Sequence, residues 1–517
     1  MPQSPRSMDS PPRHRLLAVV VAVLAAGTSL LIASAVLDRI PHVTDGVSYA
    51  FQGKIFAAGR LFLDPPPVPA LFLHENIVLD AKRWCSLYPP GWPLLLALGW
   101  RIGAPWIVDP LLLGLSVLGV WRLGRALFDS RTGLLAAVAL AVSPFALIMS
   151  AGFLAHGPAL CAGVWCLVLL VEGVESGARG RLALAGFLGG LMVLIRPFTA
   201  VALLAPAVLW GLLSLCKDKK WSLGLMGLGW LALGALPCAL AFLLYDRAVF
   251  GGFLTTGYQA YDAARFGSVE GMAVAPGEAF ARNLPWYVTH LDRGLWGLPW
   301  PDLLTFLPLL WPRPRRSRDA MLASCAACLI LGHCFYYYRD VIYSGPRFAF
   351  EALGPLAILA ARSLLTVLSG FEALLARVGA AEPRRLLRLL GLGAGSAALL
   401  FFPLGRRLPA QMIHHSQWYL AVSGEPLRRA AEAGVGREAL VFVSGTPWCY
   451  SALFPANDVP LTAGRVFVRD IPPLRAAALR AFPRPEVWLA RVVVDIPDPE
   501  NAPDVARPVD VSWTRLR

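Results

Sequence analysis

The chain is organised around two neighbouring sequences, TDGVSYAFQGKIFAAGRLF at residues 44–62 and RWCSLYPPGWPLLLALG at residues 83–99. They follow directly after the first membrane-length apolar run, which ends at Leu37. The first sequence opens with an acidic residue and continues with helical periodicity, and the second is an aromatic, proline-rich elbow that leads back into apolar sequence. This arrangement predicts a folded loop that presents an acid at a membrane surface.

The composition is that of an integral membrane protein. Of 517 residues, 56% are hydrophobic and only 15% are charged, whereas soluble domains carry about 25% charged residues. A membrane-spanning helix needs roughly 20 mostly apolar residues. On that scale the sequence predicts an α-helical polytopic membrane protein with about eleven transmembrane helices, at Leu16–Leu37, Pro105–Leu123, Gly133–Ser150, Ala155–Val171, Leu182–Ile195, Phe198–Leu215, Trp221–Tyr245, Leu295–Leu310, Ala320–Tyr338, Phe348–Ala361 and Leu389–Leu404.

The net charge of +14 would indicate nucleic-acid binding in a soluble protein, but here the positions of the basic residues favour the positive-inside rule. The basic clusters precede the first span or follow even-numbered spans, at residues 6–15, 122–131, 179–181, 217–220, 313–318 and 377–388. This pattern predicts a multi-pass protein of the cytoplasmic membrane with a cytoplasmic N-terminus and an extracytoplasmic C-terminus. Membrane lipid is an expected partner and nucleic acid is not.

Three parts follow along the chain: a polar cytoplasmic tail at residues 1–15, a helical membrane body at 16–404, and a C-terminal part of ordinary soluble composition at 405–517. Two β-like runs, Ala439–Val443 and Val487–Val494, flank a helix-like run at Leu474–Ala481. They predict a small α/β extracytoplasmic domain. Large outside loops at 38–104 and 246–294 are expected to fold over the membrane body and wall an outward-facing site, because irregular backbone is not stable in lipid.

Asp45 is the main candidate for chemistry. The residues after it form one apolar stripe at helical spacing, which predicts a helix lying in the membrane interface with its apolar side down: Val47, Phe51, Ile55, Ala58 and Phe62. One interpretation makes Thr44 or Asp45 the N-cap of that helix. The other has the carboxylate facing a substrate, and the two are compatible.

The elbow at residues 84–93 contains three prolines, which fix a rigid turn. Trp and Tyr side chains favour the lipid headgroup layer, so a surface anchor without chemistry is one interpretation. A role for Tyr88 in a site wall is the other. Asp80 and Lys82 lie just before the elbow and supply charge near the same surface.

Further polar residues fall on the predicted outer side. A charge at the bilayer centre costs about 2.5–3.5 kcal/mol on insertion scales, so it normally has a partner or a function. Arg196 interrupts the run between the fifth and sixth spans, and Arg347 heads the tenth. An ion pair with Glu351, one turn after Arg347, is one interpretation, and His156 fits a hydrogen-bonded packing role. A carboxylate and two guanidiniums on one side nevertheless suit a phosphate-bearing ligand.

The sequence contains an ordered set of motifs: Asp45 followed by YAFQGK at 49–54, YPPGWP at 88–93, LIRP at 194–197, FGG at 250–252 with Gly257-Tyr258, and GPRF at 345–348. Together they resemble the bacterial GT-C integral-membrane glycosyltransferases of the family 39 type. Relatives include protein O-mannosyltransferases and lipid A aminoarabinose transferases. The resemblance covers about residues 16–405.

The resemblance implies transfer of a hexose or pentose from a polyprenyl-phosphate donor to a glycan, lipid or protein acceptor on the outer face, with inversion at the anomeric carbon. By the same analogy, Asp45 is the general base, and Arg347 and Arg196 bind the donor phosphate. No metal ion or other cofactor is expected, because the leaving phosphate carries its lipid and less charge than a nucleotide diphosphate.

The chain departs from the family pattern at two positions. Relatives have a second acid directly after the first, where this chain has Gly46, and often a basic residue before the Tyr-Pro-Pro, where it has Leu87. Asp64 or Asp80 could supply the second acid. Two other functions therefore stay open: a lipid or solute transporter or flippase, and a non-catalytic membrane scaffold. Transporters favour midplane charges and related halves, whereas the charges here gather at the outer rim.

Overall fold

The computed structural model describes residues 12–216, 221–266, 275–310, 316–336, 345–377, 397, 400–416, 422–445, 447–459, 461–495 and 507–517. The helices of the first half are α1 Pro12–Ala35, α2 Thr44–Ala57, α3 Gly91–Arg101, α4 Val108–Leu127, α5 Ser130–Ala141, α6 Pro144–Met149, α7 His156–Ser176, α8 Arg179–Ile195, α9 Pro197–Leu215 and α10 Trp221–Phe250. Those of the second half are α11 Gly257–Phe266, α12 Pro276–Gly294, α13 Arg316–Cys334, α14 Leu353–Arg377, α15 Leu408–Ser416, α16 Glu425–Glu432, α17 Pro447–Leu453 and α18 Arg475–Ala481. The strands are β1 Ile77–Leu79, β2 Trp84–Ser86, β3 Ala439–Ser444, β4 Val466–Arg469, β5 Glu486–Asp495 and β6 Arg507–Arg515.

The chain is a multi-pass membrane protein. Among the described residues, six helical segments are long and apolar enough to cross a membrane: Pro12–Ala35, Pro105–Leu127, His156–Ser176, Pro197–Leu215, Trp221–Phe250 and Arg347–Leu374. The apolar side chains of α10 are largely exposed, as Leu225 at 67% and Leu244 at 60% illustrate. Because water would not tolerate such a surface, α10 is a lipid-facing helix.

Small residues allow α8 and α10 to pack with their backbones in contact. A Cβ atom on Gly186 would lie 2.0 Å from the carbonyl oxygen of Leu231, and one on Gly234 would lie 1.7 Å from that of Ala183. No residue larger than glycine fits at either position. In lipid there is no hydrophobic driving force between helices, so membrane helices associate through close backbone packing at small residues.

Two predicted spans differ from the structure, and a third is not tested. The run Gly133–Ser150 is divided into α5 and α6, because Pro144 follows Ser143, whose ψ of 116° is extended. The run Leu295–Leu310 contains a 3₁₀-helix at Asp302–Leu310 of nine residues, which is too short to cross a bilayer alone. The run Leu389–Leu404 lies largely outside the described residues.

The C-terminal part contains a four-stranded sheet in the order β4-β3-β5-β6. Strand β3 pairs in parallel with both β4 and β5, and β6 pairs antiparallel with β5. Strands β3 and β5 and helix α18 lie where the sequence predicted them, so the expected small α/β unit is confirmed. Strand β3 is buried along five of its six residues, as a central strand should be.

The prediction that α2 lies apolar side down on the membrane is wrong. Its apolar stripe of Val47, Phe51 and Ile55 belongs to the hydrophobic core of the C-terminal sheet. The ring centroids of Phe51 and Phe454 lie 5.3 Å apart. Loop 38–104 and the C-terminal part therefore share one core, and α2 is held between that core and the membrane body.

Candidate active site

The cavity beside α2 has a volume of about 820 Å³, within the range of ligand sites. It is bounded by the first loop, the α8–α9 junction, α11 and the 3₁₀-helix at Arg347–Ala352. Asp45, Tyr88, Arg196 and Arg347 all line it. Four residues that are up to 302 positions apart in sequence are thus brought to one cavity.

Asp45 is held by contacts to both oxygens of its carboxylate. The Arg347 guanidinium donates to Oδ2 at 2.7 Å, and the Asn76 amide donates to Oδ1 at 2.8 Å. The Arg347 side chain is 7% exposed and that of Asp45 is 20% exposed, so the pair is largely removed from solvent. An ion pair in such a setting is much stronger than one at a surface.

Helix α2 holds Asp45 at the cavity because contacts on both its apolar and its polar face fix the position of the helix. The N-cap is Val43, and no side chain caps the helix, so the interpretation of Thr44 or Asp45 as N-cap is wrong. On the polar face, the Ser48 and Ser86 hydroxyl oxygens are 2.7 Å apart, and the Gln52 side-chain oxygen accepts from the Ser86 amide at 2.9 Å. These bonds tie α2 to the β1–β2 hairpin and leave the Asp45 carboxylate to face the cavity.

The elbow packs inside the protein. Trp92 is fully buried, and its indole donates to the carbonyl of Phe153 at 2.7 Å. A Cβ on Gly91 would lie 2.8 Å from the carbonyl oxygen of Leu194, so glycine allows the elbow to rest on the backbone that leads to Arg196. The interpretation of the elbow as a surface anchor is therefore wrong.

Arg196 is oriented by a buried acid and a histidine. Its guanidinium lies 3.2 Å from an Oε1 of Glu351, which is fully buried, and 3.2 Å from Nε2 of His156. Since a guanidinium can only donate, Nε2 of His156 accepts, and the Nδ1 proton is donated to Glu351 at 3.2 Å. His156 is thus a neutral, hydrogen-bonded residue behind Arg196.

Tyrosines form one wall beside Asp45. The rings of Tyr49 and Tyr88 stack with centroids 4.4 Å apart, and Tyr258 meets Tyr88 edge-on at 5.8 Å. Burial, and then the Asp45 charge, raise the pKa of Tyr88 well above its ordinary value. The Tyr88 hydroxyl is protonated at neutral pH and is a hydrogen-bond donor next to the Asp45 carboxylate.

Comparison with known proteins shows what this fold is similar to. Residues 89–245 match the family model described as dolichyl-phosphate-mannose-protein mannosyltransferase. The structure of ArnT from Cupriavidus metallidurans bound to undecaprenyl phosphate is similar over 98% of both chains, with a TM-score of 0.58 at 15% identity. The chain therefore has a GT-C-type membrane fold. The apo structure of the same ArnT is similar over 97% of both chains, with a TM-score of 0.54 at 16% identity. Comparison with curated protein sequences gives no match.

Other predicted site residues lie apart from the GT-C cavity. Asp64 and Lys82 are exposed. The Asp80 carboxylate pairs with Arg83 at 3.0 Å and accepts from the backbone amides of Lys82 and Arg83, which closes a turn. None of the three lines the cavity described for Asp45.

Gly46 stands where the resemblance would place a second acid. A Cβ there would lie 3.1 Å from Cβ of Pro41 and 3.3 Å from Cβ of Phe153, so a larger side chain would need its neighbours to shift. Two carboxylates from elsewhere in the chain line the cavity with Asp45, those of Glu75 and Asp262.

Sequence reasoning missed three residues, Asn76, Glu75 and Glu351, as members of the site. Asn76 has φ of 62°, a backbone conformation that asparagine tolerates better than most residues. An asparagine followed by an apolar strand is a turn signal, and it was available in the sequence. In the sequence Glu351 indicates only a local ion pair with Arg347, since its contact with Arg196 joins residues 155 positions apart.

Proposed function

We propose that the protein transfers a sugar from a polyprenyl-phosphate-linked donor to an acceptor on the outer face of the cytoplasmic membrane. In this proposal the N-terminus is cytoplasmic and the C-terminus extracytoplasmic, in agreement with the basic clusters of the sequence. The observation that carries it is the 2.7 Å contact between Asp45 and Arg347 inside an 820 Å³ cavity of a GT-C fold.

Asp45 acts as the general base in this mechanism. Each carboxylate oxygen can accept more than one hydrogen bond, so the contacts with Arg347 and Asn76 leave room for an acceptor hydroxyl. The acceptor oxygen attacks the anomeric carbon, the bond from that carbon to the phosphate oxygen breaks, and its electron pair leaves with the phosphate. The hydroxyl proton passes to Asp45, and attack opposite the leaving group inverts the anomeric centre.

Arg347 and Arg196 bind the donor phosphate and stabilise the charge that develops on it. A guanidinium carries five N–H donors, more than one carboxylate accepts. Asp45 and Glu351 neutralise these cations in the empty cavity, which makes two buried guanidiniums tolerable. Glu351 and His156 act as positioning residues, because they touch Arg196 from the side away from the cavity lining.

Two carboxylates besides Asp45 line the cavity, those of Glu75 and Asp262, and in this proposal Glu75 takes the place of the second acid of the family. It lines the cavity with Asp45 and precedes Asn76, which donates to Asp45. It is supplied by the turn before β1, whereas Asp64 and Asp80 do not line the cavity. We expect Glu75→Gln to lower the transfer rate, and Asp64→Asn and Asp80→Asn to leave it unchanged.

The decisive experiment compares purified wild-type protein and Asp45→Asn in lipid nanodiscs, with a panel of polyprenyl-phosphate sugars. Release of polyprenyl phosphate is measured by mass spectrometry. Loss of a general base lowers the rate by about 10²–10⁴-fold, so the variant should show near-background release. Asp64→Asn, an exposed acid of the same loop, is the matched control and should match wild type.

Each alternative has its own signature in this assay. Equal donor turnover in wild type and Asp45→Asn would remove Asp45 from the mechanism. Movement of the lipid-linked sugar between leaflets without release of polyprenyl phosphate would favour a flippase. Donor binding without either process would favour a scaffold. For the phosphate role, Arg347→Ala should weaken donor binding more than acceptor binding, and the reverse order would overturn that assignment.

A further inference from the structure

A second cavity of about 370 Å³ adjoins the first. The two cavities share Thr44, Glu75, Tyr261 and Ser451 in their walls, and Thr44 is the neighbour of Asp45. The smaller cavity lies where the first loop, α11 and the C-terminal part meet. Its size suits a headgroup or a sugar unit rather than a whole macromolecule.

Two arginines give this cavity its charge. Arg265 comes from α11, and Arg469 comes from the end of β4. Within the described part of the chain neither forms an ion pair, and the contact that orients Arg265 is a hydrogen bond to the hydroxyl of Tyr261 at 3.0 Å. Cations that line a concave site without an acidic partner attract anions.

His74 lies between the two arginines and is neutral. Its Nδ1 lies 2.8 Å from the carbonyl oxygen of Glu75, which can only accept, so Nε2 accepts from the Ser451 hydroxyl at 3.0 Å. Burial, offset in part by the Glu75 bond, and then the charges of Arg469 and Arg265 lower its pKa to about 4. Glu75 is the single carboxylate among the residues described as lining this cavity, and no ion pair joins it to either arginine within the described part of the chain.

We propose that this second cavity is the acceptor subsite, and that it selects acceptors carrying a phosphate or carboxylate group close to the reactive hydroxyl. The anionic group lies on Arg265 and Arg469, and the hydroxyl reaches Asp45 across the wall shared through Thr44. Guanidiniums match both anions with paired hydrogen bonds. This inference rests on the proposed function, which places the donor phosphate on the other two arginines.

The subsite joins the membrane body to the C-terminal part. Ser451 and Arg469 belong to the C-terminal part, Arg265 to the second large loop, and His74 and Glu75 to the first. An acceptor in this position touches all three segments at once. The C-terminal part therefore has a direct role in choosing the acceptor.

The test measures anion binding to the protein in lipid nanodiscs that has been saturated with polyprenyl phosphate, so that the donor site is filled. Isothermal titration calorimetry compares three probes: glucose 6-phosphate, glucuronate and glucose. We expect both charged probes to bind at least about tenfold more tightly than glucose, because charge-assisted contacts are about twice as strong as neutral ones. Arg469→Ala and Arg265→Ala should each weaken binding of the charged probes about tenfold or more.

Arg491→Ala is the matched control, because Arg491 is an exposed arginine of the same sheet that does not line the cavity. Equal affinity for the charged and neutral probes, or unchanged binding in both Arg469→Ala and Arg265→Ala, would overturn the subsite. If polyprenyl phosphate itself fails to bind, the proposed donor site is wrong, and the same titration without it still tests the two arginines. Because Arg265 is exposed, its variant is not expected to unfold the protein.

A phosphorylated glycolipid and a soluble sugar phosphate present the same group to these arginines. The two sources are separated by adding the glycolipid to the nanodisc membrane or the sugar phosphate to the buffer in a transfer assay. In either case the Arg469→Ala variant should raise KM for the acceptor, whereas the Arg491→Ala control should leave KM at the wild-type value. A change in donor release alone would contradict the assignment.

Discussion

Lys54 offers a sharp test of how α2 is held. Its Nζ donates to the carbonyls of Pro455 and Asn457 at 2.5 and 2.8 Å and lies 4.6 Å above the ring of Trp100. These contacts fasten the helix that carries Asp45 to the C-terminal part. Burial, partly offset by the charge of Asp458, lowers the pKa of Lys54 from 10.5 to about 8.

The change we consider is Lys54→Met, which keeps the length of the side chain but removes the charge. The difference between pKa values of 10.5 and about 8 corresponds to about 3 kcal/mol, the cost of keeping Lys54 protonated in the folded state below pH 8. The two charge-assisted hydrogen bonds contribute about 1.5–3 kcal/mol each. These terms oppose each other, so the free energy of unfolding at pH 7 should change by only about 1–2 kcal/mol.

The informative quantity is therefore the dependence of the free energy of unfolding on pH. Between pH 8 and 10.5 the unfolded state binds the Lys54 proton and the folded state does not, so the stability of the wild type rises with pH. From pH 7 to pH 9 this contribution is about 1 kcal/mol. In Lys54→Met it should vanish.

The assay follows unfolding by intrinsic tryptophan fluorescence in lipid nanodiscs at pH 7 and pH 9. The control is Lys82→Met, because Lys82 is an exposed lysine of the same loop. Its pH dependence should match that of the wild type. If the wild type and Lys54→Met gain the same stability between the two pH values, Lys54 is not buried in its charged form and the described docking of α2 is incorrect.

Three further changes are predicted from buried contacts. In the wild type the free energy of unfolding should fall by about 3 kcal/mol between pH 6.5 and 4, because His74 takes up a proton in the unfolded state but not when it is buried in the folded state. His74→Gln should remove this fall. Acid unfolding curves of the two proteins measure the difference. Glu351→Gln should lower the free energy of unfolding by about 3–5 kcal/mol, because it removes the negative charge that compensates the Arg196 guanidinium and leaves that cation unpaired next to His156. An unchanged unfolding midpoint would contradict the buried cluster. Gly91→Ala should destabilise the protein by about 1–3 kcal/mol, since its Cβ would lie 2.8 Å from the backbone of Leu194. Gly180→Ala, in a helix with open space around it, should be neutral or slightly stabilising in the same measurement.

Much of the fold could be predicted because its signals are local. Apolar length marks membrane helices, and short runs rich in Val and other apolar residues mark strands β3 and β5 of the C-terminal sheet. The break at Pro144, by contrast, could not be predicted, because an apolar run that contains a proline can continue as a kinked helix or divide into two helices. The ordered motifs identified Asp45, Arg196 and Arg347, because each is flanked by glycine or proline that fixes the nearby backbone.

The partners of these residues could not be predicted from local patterns. The stripe of Val47, Phe51 and Ile55 indicates that one face of α2 is buried, but the stripe has the same spacing whether lipid or protein covers it. The covering residues, such as Phe454, lie about 400 positions away in the sequence. The same limit applies to the second acid: the family pattern directs attention to position 46, whereas the further carboxylates that line the cavity are those of Glu75, in the turn before β1, and Asp262, in α11. A sequence specifies which faces are buried, and only the packing of distant segments decides which side chains meet Asp45.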